Sequence, residues 1–466
     1  MNMTWRQLLC EDRPRKSTNT GDHRAEFERD YDRTIFSTPV KRLQDKAQVF
    51  PLEPHDAIRT RLTHSLEVSS VSRGLGIAAG KWLLEKRLIE SGMDRAIEAI
   101  CGTCGLIHDL GNPPFGHSGE LAIRHWFANT LEGKRLIKQM CGKPQLIQDF
   151  LNFEGNAQSL RLLTKLQILA DFNGLNLTFG TLSATCKYIA SSEEALEQNK
   201  SGLVKDHAKS KPGYFASEND IVQTIRDRTG TGNARNPLTY LIEAADDIVY
   251  SVADIEDAVK KGIVPWSDIA TQLEGKGNGM ISSALGGMTN ILRAGNDHVT
   301  KQLPDDIYAS AFRTAAIGVV VPSVMKEFKT RYEEIMAGTY KGNLIEDCDA
   351  SILINELKTI GQKRVYCTPS NLKLELMGRH VICDLMTLFW EGAKELPLTE
   401  GPLKTKSFAG KAGALLSDNY RRVFLNSVQA SWHLPECYHR LQLVTDYVCG
   451  MTDTFAKRLH SELMNG

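Results

Sequence analysis

Neither sign of charge is in excess in this chain: 56 lysines and arginines face 56 aspartates and glutamates, so the formal net charge at pH 7 is zero. A polyanion such as nucleic acid would have to be met by a local patch, because the field of the whole molecule offers no pull. Long hydrophobic runs are also missing, and no stretch approaches the roughly eighteen apolar residues of a membrane span. The opening residues, Met1-Asn2-Met3-Thr4-Trp5-Arg6, lack the apolar core of a secretory signal. The ten cysteines follow no framework spacing. Reduced thiols, a cytoplasmic location and no membrane partner are therefore expected. No G-x-G-x-x-G or Walker-type loop follows a strand, no alternating pattern marks a sheet, and neither an internal repeat nor a low-complexity linker appears.

What the chain does have is helical periodicity over most of its 466 residues. The fold class expected is all-α, with at most a minor hairpin. Residues 1–23 are polar and basic and read as a partly ordered N-terminal arm. A helical domain follows over 24–265, interrupted at 172–235 by an irregular excursion rich in Gly, Ser, Thr, Asn and Lys. Residues 266–466 read as further C-terminal helices packed on that domain, with loops at 275–279 and 404–411.

Two helices stand out. Ala96, Ile97, Ile100, Cys101, Cys104 and Ile107 recur at helical spacing after Asp94, a candidate N-cap, and Gly111 with Pro113 and Pro114 stops the run. Cys101 and Cys104 have the spacing of a redox or zinc pair, but both fall on the buried periodicity and no second pair exists, so they read as core. In the second helix, Asn236-Pro237-Leu238 forms a cap and first turn. Leu238, Leu241, Ala245, Ile248, Val252 and Ile255 then make one apolar seam. Asp246, Tyr250 and Asp254 follow each other at i+4 beside it, a placement that suits a pocket wall better than a solvated face.

The first helix ends on His108-Asp109, inside a thirteen-residue run that also holds His117 and Glu120. Neighbours on a helix diverge by about 100°, so one ion can touch both His108 and Asp109 only with ligands from elsewhere. His64, which shares a helical face with Arg61, and Asp246 can complete the set. Two imidazoles and two carboxylates suit Mn²⁺, Fe²⁺ or Zn²⁺, with Mg²⁺ more marginal, and leave positions open for water or phosphate.

The order H…HD…D resembles the HD superfamily of metal-dependent phosphohydrolases, an all-helical fold. The longer runs Arg42–Pro51, Thr60–Val68, His108–Glu120, Phe153–Gln158, Ala244–Tyr250 and Asp446–Asp453 resemble bacterial dGTPase-like deoxynucleoside triphosphate triphosphohydrolases. That resemblance makes 24–265 the HD domain and implies hydrolysis of a dNTP, dGTP foremost, to deoxynucleoside and tripolyphosphate with Mn²⁺ or Mg²⁺. It implies that His64, His108, Asp109 and Asp246 hold the metal and that His117 and Glu120 form the catalytic pair. Gln48, Tyr250 and Asp254 would face the sugar, while Arg61 and Lys211 with Tyr214 would meet the triphosphate. Asn112, Glu154 and Asn156 would border the site. Related enzymes form hexamers, and some answer to single-stranded DNA or nucleotide effectors. C-terminal arginines can complete the site in the family; Arg421 and Arg422 could serve, but a surface pair is the better reading of them. Another HD nucleotide phosphohydrolase, either a 5′-nucleotidase or a phosphodiesterase, would keep the metal ligands without needing His117 and Glu120. A non-catalytic nucleotide or DNA sensor would not need the intact ligand set.

Overall fold

The computed structural model describes residues 3–16, 22–167, 171–201, 206–294, 303–403, 405–431 and 433–464. Parts of the expected arm, residues 1–2 and 17–21, and Lys404 of the expected 404–411 loop lie outside them. The described chain is almost wholly helical. The helix that orders the rest is Pro237–Lys260. Its N-cap is Asn236, whose side chain accepts the Leu238 N–H at 3.0 Å, and Pro237 sits where a missing N–H costs nothing. All six seam residues are buried at 2% exposure or less, which makes this helix the axis of the larger core.

Arg61–Glu85, Met93–Ile107 and Asp305–Thr330 pack around that axis. The first two approach closely because Gly105 has no side chain; a Cβ there would stand 2.8 Å from the Ser69 Cα. The second helix is capped by Gly92 (φ 97°), not by Asp94 as expected. Asp94 lies inside the first turn and its carboxylate accepts the Gly92 N–H at 3.0 Å. Contrary to the expectation that no stretch approaches a membrane span, Asp305–Thr330 is long and apolar enough to cross one by length and composition. Here its Phe312, Ala316, Val320, Val324 and Phe328 are buried in the core.

A second core joins the His117–Asn129 helix to the C-terminal helices Pro369–Glu395 and Glu436–Cys449. Trp126 is buried there, and its indole N–H donates to Thr387 Oγ1 at 2.9 Å. The described part of the N-terminal arm is anchored. Trp5 and Leu8 are buried, the Trp5 indole donates to Tyr332 at 2.9 Å, and the buried Arg13 pairs with Glu26 and Asp30. In the excursion, Ala190–Ser191 pairs in parallel with Pro212–Tyr214, in place of the expected hairpin. The Ser192–Ser201 helix lies between them in sequence, and a crossover of that length is what a parallel pair needs.

Because Leu241 is fully buried on the central seam, Leu241→Ala should destabilise the protein by about 2–5 kcal/mol. Chemical denaturation checks this, with the exposed Leu131→Ala, at 77% exposure, as the control expected to stay near wild type.

Candidate metal centre and active site

The apolar face of Met93–Ile107 drives that helix into the core, and its C-terminus delivers the chemistry. Cys101 and Cys104 are buried as expected, and burial pushes the Cys104 thiol up to about 12. The helix ends at Ile107, so His108 takes the C-cap position. His108 Nδ1 lies 2.8 Å from the Gly105 carbonyl, one of the acceptors a helix end leaves over. A carbonyl can only accept, so Nδ1 carries the hydrogen and Nε2 of the neutral ring points its lone pair into the site. Burial opposes charge on His108, yet the Asp109 and Asp246 carboxylates outweigh it and raise the ring to about 9.

His64 comes from the first turn of Arg61–Glu85, whose start is fixed by Thr60, an N-cap accepting the Thr63 N–H. Its ring meets His108 edge-on with centroids 5.4 Å apart. Asp246 Oδ1 lies 3.3 Å from His64 Nε2 and 3.4 Å from His108 Nε2. One donor atom each from His64, His108 and Asp109 falls within a 4.8 Å group. The four expected residues thus converge.

The donor set fits a divalent ion. His108 Nε2 is buried with no hydrogen-bond partner, an orphan that a metal ligand would be. Asn112 Nδ2 donates to Asp109 Oδ1 at 2.7 Å and Arg61 Nη1 bonds Asp109 Oδ2, so the carboxylate is oriented from both sides. Burial pushes Asp109 up, but Arg61 and His108 more than offset it and hold it below the usual carboxylate range. Asp246 is likewise held low against burial, by His108, His64 and Lys187, whose ammonium is 3.5 Å from Oδ2. A cavity of about 60 Å³ lies among His108, Asp109, Asn156, Lys187, Glu243 and Asp246, room for an ion and a water.

Beyond His108 the chain turns through two consecutive left-handed residues, Phe115 (φ 62°) and Gly116 (φ 56°), before the His117–Asn129 helix begins. Glycine suits 116 because side chains rarely adopt its backbone conformation (φ 56°, ψ −128°), and a Cβ would also push on the tip of Arg61, with Nη2 at 2.6 Å. His117 Nδ1 and Glu120 Oε2 are 3.0 Å apart, and Glu120 Oε1 accepts the Gly155 N–H at 2.7 Å. The buried carboxylate is thereby fixed, while the His117 side chain stays 68% exposed. Glu154 lies beside this pair, pushed up by burial and by Glu120. It takes ion pairs from Arg124 at 3.3 Å and Lys211 at 3.4 Å, and Asn156 Nδ2 donates to it at 3.0 Å.

Tyr250 and Asp254 form a third wall with a partner the sequence did not mark. The Tyr366 ring stacks on Tyr250 at 6.2 Å, and its hydroxyl donates to Asp254 Oδ2 at 2.6 Å. Burial pushes the Asp254 carboxyl up to about 8 against the pull of that hydrogen bond. Gln48 is half-buried with its Oε1 unpartnered.

Other expectations separate from the cluster. Lys211 reaches Glu154 and not the metal-site cavity. Tyr214 is a strand residue buried against Arg226, whose guanidinium sits 5.5 Å from its ring, and it lines a different cavity with Leu160 and Val222. Arg421 pairs with Asp418 and, with Arg422, lines a separate cleft. The cations that do stand at the cluster besides Arg61 are Lys187, on Asp246, and Lys358, which donates to Asp247 at 3.1 Å. Nothing local marks either lysine in the sequence.

A family model described as the HD domain matches residues 61–162, the span holding His64, His108, Asp109, His117 and Glu120. The fold and cluster together define the chain as an HD-domain protein. It is 36% identical over 474 residues to a deoxyguanosinetriphosphate triphosphohydrolase-like protein of Listeria innocua, covering 99% of each chain. It is 31% and 32% identical to deoxyguanosinetriphosphate triphosphohydrolases of Yersinia enterocolitica and Klebsiella pneumoniae, covering 94% of this chain and 93% of each relative. At that identity over nearly the whole length, the chain belongs to the deoxyguanosinetriphosphate triphosphohydrolase family.

The folded-state value of Asp254 lies above its unfolded value of about 3.9. The folded protein therefore keeps a proton that the unfolded chain has lost, and this residue's contribution to stability falls as pH rises from about 4 to about 8. Asp254→Asn removes that titration. Urea denaturation at stepped pH should show the variant gaining on wild type across this window, by on the order of a few kcal/mol at pH 9.

Proposed function

We propose that the protein hydrolyses deoxynucleoside triphosphates, dGTP foremost, to the deoxynucleoside and tripolyphosphate. The observation that carries this reading is the convergence of His64, His108, Asp109 and Asp246 beside an independently fixed His117–Glu120 pair, with Arg61 between them. The relatives, deoxyguanosinetriphosphate triphosphohydrolases, support the dGTP preference.

A divalent ion held by the four ligands, Mn²⁺ or Mg²⁺ with Fe²⁺ or Zn²⁺ as alternatives, offsets the charge that develops on the α-phosphate. The residues do the rest. Water attacks the α-phosphorus, the bond to the 5′-oxygen breaks, and the water oxygen leaves with tripolyphosphate. The departing 5′-oxygen needs a proton, and on this reading His117 donates it; the contact of its ring with the fixed Glu120 carboxylate supports the role. Arg61 and Lys187 bring fixed cations to the polyphosphate, and Lys211 adds a third at the Glu154 edge. The Tyr250 ring, backed by Tyr366, fills the space a ribose 2′-hydroxyl would need, with Gln48 and Asp254 as sugar partners. The family resemblance also supports a cytoplasmic homo-oligomer, a hexamer, with single-stranded DNA or a nucleotide as effector.

Incubating the four dNTPs with Mn²⁺ or Mg²⁺, with and without single-stranded DNA, and following products by phosphorus NMR should show tripolyphosphate, fastest from dGTP. Orthophosphate released from an added deoxynucleoside monophosphate, or ring-opened monophosphate from an added cyclic nucleotide, with the dNTPs left intact, would instead point to the nucleotidase or phosphodiesterase chemistry. His117→Ala should lower kcat by about 10²–10⁴-fold with Mn²⁺ affinity kept. Asp246→Asn should abolish Mn²⁺ binding by calorimetry.

A further inference from the structure

The run Asp446–Asp453 contributes no side chain to the metal-site cavity, yet it touches three segments that flank the site: 42–47, the turn at Phe115 and the Gly155–Arg161 helix. Asp446 accepts from Arg161 and Gln158, which holds the Gly155–Arg161 helix whose first N–H fixes Glu120. The Cys449 carbonyl accepts Lys46 Nζ at 2.8 Å, and the same ammonium bonds the Asn112 carbonyl at 2.5 Å. The Gly450 carbonyl accepts Arg42 Nη1 at 2.8 Å.

The last residue of the run makes the most specific of these contacts. Asp453 is 2% exposed. Its Oδ2 accepts the Ala47 N–H and its Oδ1 accepts the Phe115 N–H, both at 2.9 Å. Ala47 precedes Gln48 and also bridges Thr60, and the Arg61 N–H donates to the Lys46 carbonyl at 2.9 Å. Phe115 is the left-handed residue two positions before His117. A non-glycine residue holds that conformation only when its surroundings over-determine it. A buried carboxylate accepting its N–H is a strong way to do so.

We propose that Asp453 is a positioning residue, whose carboxylate accepts the N–H groups of Ala47 and Phe115 at once and so sets the Gln48 segment in register with the His117 turn. It touches neither substrate nor metal. Its role in turnover rests on the dNTP hydrolysis proposed above. Aspartate is required because each of its oxygens can accept. Asparagine has the same shape but one acceptor, and its NH₂ group would face one of the two N–H donors.

Asp453→Asn in the full-length protein tests this by hydrogen–deuterium exchange and steady-state kinetics with dGTP and Mn²⁺. Exchange should quicken at least tenfold in the peptides holding Ala47 and Phe115, with the Pro237–Lys260 helix unchanged. KM should rise at least threefold, kcat should fall at least tenfold, and the calorimetric Mn²⁺ affinity should stay within twofold. Wild-type exchange at both amides, or wild-type kcat and KM, overturns the proposal, and so does faster exchange spread evenly over the chain. If Asp453→Asn yields no folded protein, Ala47→Pro tests one arm alone. It deletes a single N–H, and Lys46 already has the extended backbone (φ −120°, ψ 132°) that a following proline demands. That variant should raise KM at least threefold with kcat within twofold, and an unchanged KM overturns the proposal. An inert wild type would refute the dNTP reading, and the exchange experiment would still judge the Asp453 link.

Discussion

Two carboxylates and two imidazoles gathered in a buried cleft are a problem of charge before they are a catalyst. Asp109 and Asp246 both lie against His108, away from bulk water, where like charges repel strongly. The structure answers with a cation on each: Arg61 on the Asp109 oxygen that also faces His108, and Lys187 on the Asp246 oxygen turned away from the histidines. Most of the local architecture follows from supplying those two cations. Arg61 needs a helix that starts at Thr60 and a glycine at 116 to make room for its guanidinium. Lys187 is in turn within 3.8 Å of Glu243, which Arg235 neutralises in the core. The charge is passed outward along ion pairs until it is balanced.

The same logic separates the two halves of the His108–Glu120 run. The His64–His108–Asp109–Asp246 cluster is largely buried and charge-balanced, whereas His117 faces solvent on a turn that breaks helical geometry twice. Holding that turn takes contacts from far away in the chain, and they come from Asp453 and from the N–H of Gly155 on Glu120. The C-terminal helices are in this sense part of the site, although few of their side chains face it.

How much of this could be read from the residues alone follows physical lines. The seam of Pro237–Lys260 and its Asn236 cap were legible because burial periodicity and capping are local. The convergence of His64, His108, Asp109 and Asp246 was legible because an adjacent histidine and aspartate at a helix end demand partners from elsewhere in the chain. Asp94 misled because an aspartate can bond the cap N–H from inside the first turn as well as sit at the cap. Tyr214 lies away from the cluster because its ring packs against Arg226 through a long-range contact that no local pattern announces. Lys187 and Tyr366 left no trace, since each acquires its partner only through long-range packing: Asp246 for the lysine, Tyr250 and Asp254 for the tyrosine.

The pairing of Arg61 with Asp109 and of Lys187 with Asp246 has a thermodynamic consequence on the proposed reading. A divalent ion entering this cleft must compete with two resident ammonium and guanidinium groups for the carboxylate oxygens. A polyphosphate arriving beside it offers those cations another home. Nucleotide and ion then each ease the other's entry, and by reciprocity the coupling is the same whichever binds first.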